Sequence, residues 1–261
     1  LAAACQVWVF PPYGWAWLAW VALVPLLVAI WPGSGRAAIG AGWIFGSLAA
    51  LGLVTGWLWP ALTEFFGLAL GVRVGVLALA ALYGGGLSLA VFGAVLGAGA
   101  RLAPPVRVLL AAATWVAAEY GRGQLPYGML WAPLGAALAP DSLVAQVADL
   151  GGVYAVSFVV VTVNAALVEL ILAAGGGRRA RPRRDPGAWR GALLAIGVAA
   201  VVVIAACGYG AARRAAVQSR MATAPMARVA LVHAELENAR RQGAATAAAA
   251  LDRYLALSPA A

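Results

Sequence analysis

Residues 151–174 read GGVYAVSFVVVTVNAALVELILAA, and this stretch decides the fold class. It contains no proline and one charged side chain, Glu169. An α-helix rises about 1.5 Å per residue, so about 20 apolar residues cross the roughly 30 Å hydrocarbon layer of a bilayer. The stretch therefore predicts a transmembrane helix.

The rest of the chain has the same apolar character. Of its 261 residues, 64% are hydrophobic and only 10% are charged, and the mean hydropathy is +0.90. A soluble domain is typically about 45–50% apolar and about 25% charged. We therefore predict that lipid surrounds most of the chain, which excludes a soluble globular protein.

Seven apolar segments qualify, or nearly qualify, as membrane spans. They cover residues 1–10, 15–31, 37–59, 74–100, 104–120, 151–174 and 192–209. Proline, glycine and arginine separate them, as at Pro11-Pro12. We predict an all-α polytopic membrane bundle of about seven transmembrane helices.

Positive charge lies mainly in the connections between these segments. All eighteen basic residues are arginine, and six of them fall within residues 178–190 beside a single acid, Asp185. Loops of this kind face the cytoplasm, so the segment after Tyr209 is predicted to be periplasmic. This distribution favours a membrane over nucleic acid as the partner of the basic residues. Arg73 and Arg122 are exceptions, because each falls in a loop predicted to face outward.

The sequence changes character after residue 225. Residues 226–232 have the β-branched content of a strand, and Leu251, Tyr254 and Leu255 follow at helical spacing within residues 244–257. We predict a transmembrane domain at residues 1–210, a linker at 211–225 and the start of an α/β domain at 226–261. One strand and one helix cannot bury a core, so we expect a chain cut at its back. Because it begins at Leu1 inside an apolar run, we expect a cut at its front too.

Four motifs, in order along the chain, resemble the apolipoprotein N-acyltransferase family. They are FPPYG at residues 10–14 with the Trp-rich run to Leu27, WVAAEYGRG at 115–123 with LPYG at 125–128 and Trp131, ADLGGVY at 148–154 with Ser157 to Asn164, and VALV at 229–232. The last matches the start of that family's nitrilase-like α/β sandwich. Leu130 and residues 233–238 depart from the family pattern.

The resemblance implies a membrane acyltransferase of lipoprotein maturation in the bacterial inner membrane. It would move an acyl chain from a phospholipid to a diacylglyceryl apolipoprotein, without a cofactor. In the family a Cys nucleophile, a Glu base and an oxyanion-stabilising Lys do the chemistry. This chain has no Lys, and both Cys5 and Cys207 lie in apolar runs. We therefore expect the triad to lie beyond Ala261 and these 261 residues alone to be inactive.

Three residues are candidates to face the substrate: Glu119, Arg122 and Trp131. Glu119 and Arg122 are one helical turn apart, so they either pair with each other or contact the substrate. Trp131 either anchors the chain at the membrane interface or lines a lipid portal. No catalytic, cofactor-binding or metal-ligating residue is predicted. A non-enzymatic membrane scaffold, a transporter-like bundle or an inactive truncated copy remains the alternative interpretation.

Overall fold

The computed structural model describes residues 1–31, 35–124, 131–175, 186–226 and 244–257, and these are helical nearly throughout. The α-helices are α1 (Ala2–Trp8), α2 (Val24–Ile30), α3 (Gly35–Pro60), α4 (Leu70–Leu79), α5 (Ser88–Ala98), α6 (Pro104–Gln124), α7 (Ala148–Ala173), α8 (Pro186–Thr223) and α9 (Ala244–Leu257). Two π-helical segments, Ala61–Phe65 and Ala80–Leu87, extend α3 and join α4 to α5.

Four helical stretches in the described residues are long and apolar enough to cross a membrane. They are Gly35–Phe65, Leu70–Arg101, Val144–Ala173 and Pro186–Thr223. Each includes one of the predicted spans, because an unbroken apolar run leaves the backbone no polar partner in lipid except its own helix. The prediction of a helical membrane protein is confirmed.

The predicted count of seven spans is not confirmed. Residues 1–31 fold into the seven-residue α1, a 3-10 turn at Ala16–Trp20 and the short α2. The stretch Ala16–Ile30 extends only about 22 Å at the rise of an α-helix, which is short of the hydrocarbon thickness. Helix α6 has 21 residues, but Arg107, Glu119 and Arg122 make it more polar than the four spans.

The end of the chain matches the prediction in part. Helix α9 confirms the helix predicted at residues 244–257. Helix α8 continues to Thr223, through most of the predicted linker, because residues 211–223 contain no Gly or Pro and are rich in good helix formers. Most of the predicted strand at 226–232 lies outside the described residues, so the nitrilase-like sandwich is not confirmed. The domain boundaries remain a prediction.

Glycines bring α3 into backbone contact with α5 and the π segment before it. A Cβ atom on Gly46 would overlap the carbonyl oxygen of Gly85, and one on Gly93 would overlap that of Ala38. Packing in lipid relies on such close approach, because lipid tails are as apolar as the helix surfaces. Gly46 and Gly93 thus allow close helix packing, whereas Gly40 and Gly56 face open space.

Helix α7 lies at the centre of the core and binds the short N-terminal elements through Asn164. The Asn164 side chain accepts a hydrogen bond from the backbone N–H of Leu23 (3.0 Å) and donates one to the carbonyl of Ala19 (2.8 Å). Leu23 precedes α2, where a backbone N–H has no partner in its own helix. Asn164 thus joins α7 to the N-terminal elements by hydrogen bonds.

Candidate functional site at the outer end of the bundle

We call the end of the bundle that holds Leu58, Arg73 and Arg122 the outer end, following the orientation predicted from the arginine distribution. Most of the arginine-rich connection, residues 176–185, lies outside the described residues, as do LPYG at 125–128, Leu130 and residues 233–238. The orientation therefore remains a prediction.

Glu119 anchors the turn that follows α6. Its Oε1 atom accepts hydrogen bonds from the indole N–H of Trp115 and from the backbone N–H of Leu134, both at 2.7 Å. The side chain is only 3% exposed, and a buried carboxylate requires such donors. In the same turn, the N–H of Gly135 donates to the hydroxyl of Ser157 at 2.8 Å. Side chains from α6 and α7 thus hold residues 134–135 in place.

Arg122 and Trp131 lie together on the other side of this turn. The guanidinium of Arg122 donates from Nη2 to the carbonyl oxygen of Trp131 at 3.1 Å. The Trp131 ring packs on that of Trp57, with centroids 4.5 Å apart. The ion pairs within 4.0 Å in the described part of the chain do not include one between Glu119 and Arg122. The structure therefore joins Arg122 to Trp131 and turns Glu119 toward the interior.

A cavity of about 580 Å³ lies beside Arg122 and Trp131. One wall is α3, with Ala50, Leu53, Val54 and Leu58. The opposite wall is the continuous helical stretch Leu70–Arg101, which we call the α4 stretch, with Val76, Leu79, Ala80, Tyr83, Gly84 and Gly85. Nearly all of these side chains are apolar. The one cation on its lining is Arg122.

The cavity extends along the bundle and opens sideways. From Leu58 to Ala50, and from Val76 to Gly84, each wall covers nine residues, which are about 12 Å from first to last at helical rise. Leu79 lines the cavity and is also 56% exposed. Since the Leu70–Arg101 stretch is long and apolar enough to span a bilayer, this exposed side faces lipid.

The π segment at Ala80–Leu87 is the part of the site that the sequence analysis missed. It supplies Ala80, Tyr83, Gly84 and Gly85 to the cavity wall. An extra residue per turn changes which side chains face the neighbouring helix, and such segments are frequent at functional sites. The signal in the sequence is the run Gly84-Gly85-Gly86, which lets α3 approach on one side while a cavity remains on the other.

Comparison with known proteins places this architecture in a family. Residues 2–166 match the family model described as the apolipoprotein N-acyltransferase N-terminal domain. The chain is 33% identical over 165 residues to the apolipoprotein N-acyltransferase of Geobacter metallireducens, covering 62% of this chain and 30% of that protein. It is 34% identical over 172 residues to that of Gloeobacter violaceus, covering 61% and 31%.

A shorter match has higher sequence identity. The chain is 46% identical over 63 residues to the apolipoprotein N-acyltransferase of Rhodopirellula baltica, covering 24% of this chain and 11% of that protein. The matched regions span less than a third of the length of these relatives. The family model nevertheless includes the whole cavity, the Glu119 anchor and Trp131, and it covers more than half of the chain. This chain therefore belongs to the apolipoprotein N-acyltransferase family.

Proposed function

We propose that this chain forms the phospholipid-donor site of a lipoprotein N-acyltransferase in the bacterial inner membrane, with its outer end toward the periplasm. The observation that supports this most directly is the cavity, which combines apolar walls, a lipid-facing side at Leu79 and a cation at its outer end. Its size falls within the range of about 300–1,000 Å³ typical of ligand sites. A phospholipid matches this arrangement, because its apolar acyl chain would lie along the walls and its phosphate would lie near the cation.

The reaction that we propose from the family relation has two steps. A thiolate attacks the ester carbonyl of the phospholipid, forms a thioester and releases a lysophospholipid. The N-terminal amine of a diacylglyceryl-cysteine apolipoprotein then attacks the thioester, forms an amide and releases the thiol. Cys5 and Cys207 are half-buried in α1 and α8, and the 261 residues include no lysine. We assign the nucleophile and the oxyanion donor to residues outside this sequence.

The residues described here would bind and orient the donor. Apolar contact alone gives little selectivity in a bilayer, because a lipid tail leaves equally apolar surroundings. The charge of Arg122 therefore provides the directional interaction, through a charge-assisted hydrogen bond to phosphate. Trp57 and Trp131 stack beside it, at the depth where amphipathic rings favour the headgroup layer. A donor held in this way presents its ester in one position to an attacking thiolate.

Native mass spectrometry of the purified chain in detergent tests this proposal. The wild type should retain phospholipid, and Leu79→Trp, which puts a bulky ring at the cavity entrance, should lower its affinity about tenfold, equivalent to about 1.4 kcal/mol. The matched control is Leu82→Trp, because Leu82 is on the same helical stretch, is 47% exposed and is not among the residues that line the cavity. Equal retention by the two variants would contradict the proposal.

A further inference from the structure

We propose that Arg73 is a second phosphate-binding residue at the outer end of the cavity, and that the site consequently prefers phospholipids with a net negative headgroup. This inference rests on the proposed function, because it requires the cavity to hold a phospholipid. It adds Arg73 to the residues that would bind the phospholipid and specifies the headgroup charge of that phospholipid.

The position of Arg73 follows from helix geometry. Arg73 precedes Val76 and Ala80 by three and seven residues, so the three residues share one helical face. Val76 and Ala80 line the cavity. Arg73 is therefore at the outer margin of that wall, about 4.5 Å of helical rise beyond Val76.

The opposite wall holds the Arg73 side chain in place. Its Nη1 donates a hydrogen bond to the hydroxyl of Thr63 at 2.8 Å, and that hydroxyl donates in turn to the carbonyl of Trp59 at 2.8 Å. The guanidinium carbon lies 4.9 Å from the centroid of the Trp59 ring. These contacts come directly after Leu58 on α3. A side chain that is already ordered loses less entropy when a ligand binds.

Neither Arg73 nor Arg122 forms an ion pair within 4.0 Å among the described residues, although buried Glu119 interacts electrostatically with Arg122. The ion pairs there join Arg107 to Glu169 and Arg213 to Asp149. Where the chain is described, the Nε–H groups of Arg73, Arg107 and Arg122 are buried and donate to no acceptor, and of these three Arg107 has an ion-pair partner, Glu169. A buried N–H without an acceptor is costly, and more so on a charged group. The oxygens of a bound phosphate would relieve that cost at Arg73 and Arg122.

Two arginines also discriminate between headgroups. Arginine stays charged in proteins, so both side chains attract the phosphate of any phospholipid. The ammonium group of phosphatidylethanolamine would be repelled by the second guanidinium, whereas the glycerol of phosphatidylglycerol carries no charge. A free phosphate would leave the apolar walls empty. The site therefore favours an anionic phospholipid.

The same assignment accounts for an exception in the sequence. Arginine in an outward-facing loop opposes the charge bias that orients membrane proteins. Arg73 and Arg122 are the two exceptions in the predicted short outward loops. Arg122 lines the cavity, and Arg73 is about one helical turn beyond Val76, which also lines it. A ligand role gives a physical reason for retaining them there.

The test measures headgroup preference by native mass spectrometry. The purified chain is titrated with phosphatidylglycerol, phosphatidylethanolamine and diacylglycerol that have identical acyl chains. We expect phosphatidylglycerol to bind about tenfold more tightly than phosphatidylethanolamine, the ratio for one charge-assisted contact. Arg73→Gln should bring the two to near equality and leave diacylglycerol binding unchanged, because its amide can still bond to Thr63. Arg101→Gln, an exposed arginine at the other end of the bundle, is the matched control.

The remaining outcomes separate this inference from the proposed function. Arg73→Lys keeps the charge but loses the planar fork, so it should retain part of the preference with an unchanged unfolding midpoint. Equal binding of both phospholipids by the wild type, still blocked by Leu79→Trp, would overturn the role of Arg73 and leave the donor site intact. Displacement of phosphatidylglycerol by inorganic phosphate would overturn the lipid assignment. Absence of any bound phospholipid would overturn both proposals.

Discussion

Arg107 and Arg122 lie near the two ends of the same helix, α6, and their surroundings differ. Arg107 forms an ion pair with Glu169 of α7, donates to the carbonyl of Ala100 at 3.1 Å and lies 5.5 Å from the Trp31 ring centroid. Arg122 donates to one backbone carbonyl and borders the cavity. A neutralised arginine between packed helices has a structural role, whereas we propose that Arg122, which borders an apolar cavity, binds a ligand.

The difference follows from the cost of burying charge. An ion taken out of water requires a partner of opposite sign and satisfied hydrogen bonds. At the opposite end of the bundle from Arg122, Arg107 has Glu169 as its partner within the chain, and α2, α6 and α7 pack around this pair. At the outer end α3 and the α4 stretch leave a cavity between them, and the phosphate of the proposed ligand would be the partner.

The largest effect should come from breaking the ion pair of Arg107 and Glu169. Glu169→Gln leaves Arg107 buried without a counter-charge, so we expect a loss of about 3–5 kcal/mol in the free energy of unfolding. Chemical denaturation in mixed micelles measures this. The double variant Arg107→Met with Glu169→Leu should recover most of the loss, because a well-packed apolar pair can replace a buried ion pair. A single variant as stable as the wild type would remove the contrast between the two ends.

An intermediate effect is expected at Glu119 and decides between its two interpretations. Glu119→Ala leaves the indole N–H of Trp115 and the backbone N–H of Leu134 buried without acceptors, at a cost of about 2–3 kcal/mol. Ser157→Ala removes one acceptor in the same turn, that of Gly135, so it should cost about 1 kcal/mol. Denaturation midpoints and phospholipid retention are measured together. Normal stability with lost retention in Glu119→Ala would instead indicate direct contact with substrate.

The smallest effect on stability should come from Arg122→Gln. It breaks no ion pair within the described residues, so we expect a change below about 1 kcal/mol, together with weaker phospholipid retention. The comparison variant is Arg213→Gln, which removes a half-exposed ion pair to Asp149 at 2.6 Å. This variant should also lose less than about 1 kcal/mol in the free energy of unfolding, and it should still retain phospholipid. A large loss of stability in Arg122→Gln would assign Arg122 the same structural role as Arg107.

The spans and several of their contacts were predictable because they depend on local properties. Residues 153–173 form the long part of α7, after a break in the helical backbone at Gly151 and Gly152, because an apolar run of that length can satisfy its backbone in lipid only as a helix. Asn164 and Gly46 were recognisable because a lone amide or a small residue in such a run has few roles besides contact with another helix. Motif order along residues 10–164 indicated the family.

The missed features depend on how elements pack. Residues 15–31 are apolar enough for a span, but the 3-10 turn at Ala16–Trp20 and the seven-residue α2 bind the side of α7 through Asn164 instead. The hydrogen-bond partners of Glu119 could not be read from the sequence for a related reason. Spacing placed Arg122 one turn away, while the donors that Glu119 uses include Leu134, fifteen residues along the chain.

The sequence by itself determined that this chain lies in a membrane, that its apolar runs are helical and that it belongs to its family. These properties follow from hydropathy, backbone hydrogen bonding and local motifs, which need no knowledge of neighbours. Only the tertiary structure decided where the cavity lies and which arginines are neutralised. Both depend on residues distant in sequence, because a cavity is the space that α3 and the α4 stretch fail to fill, and an ion pair exists only where two helices bring opposite charges together.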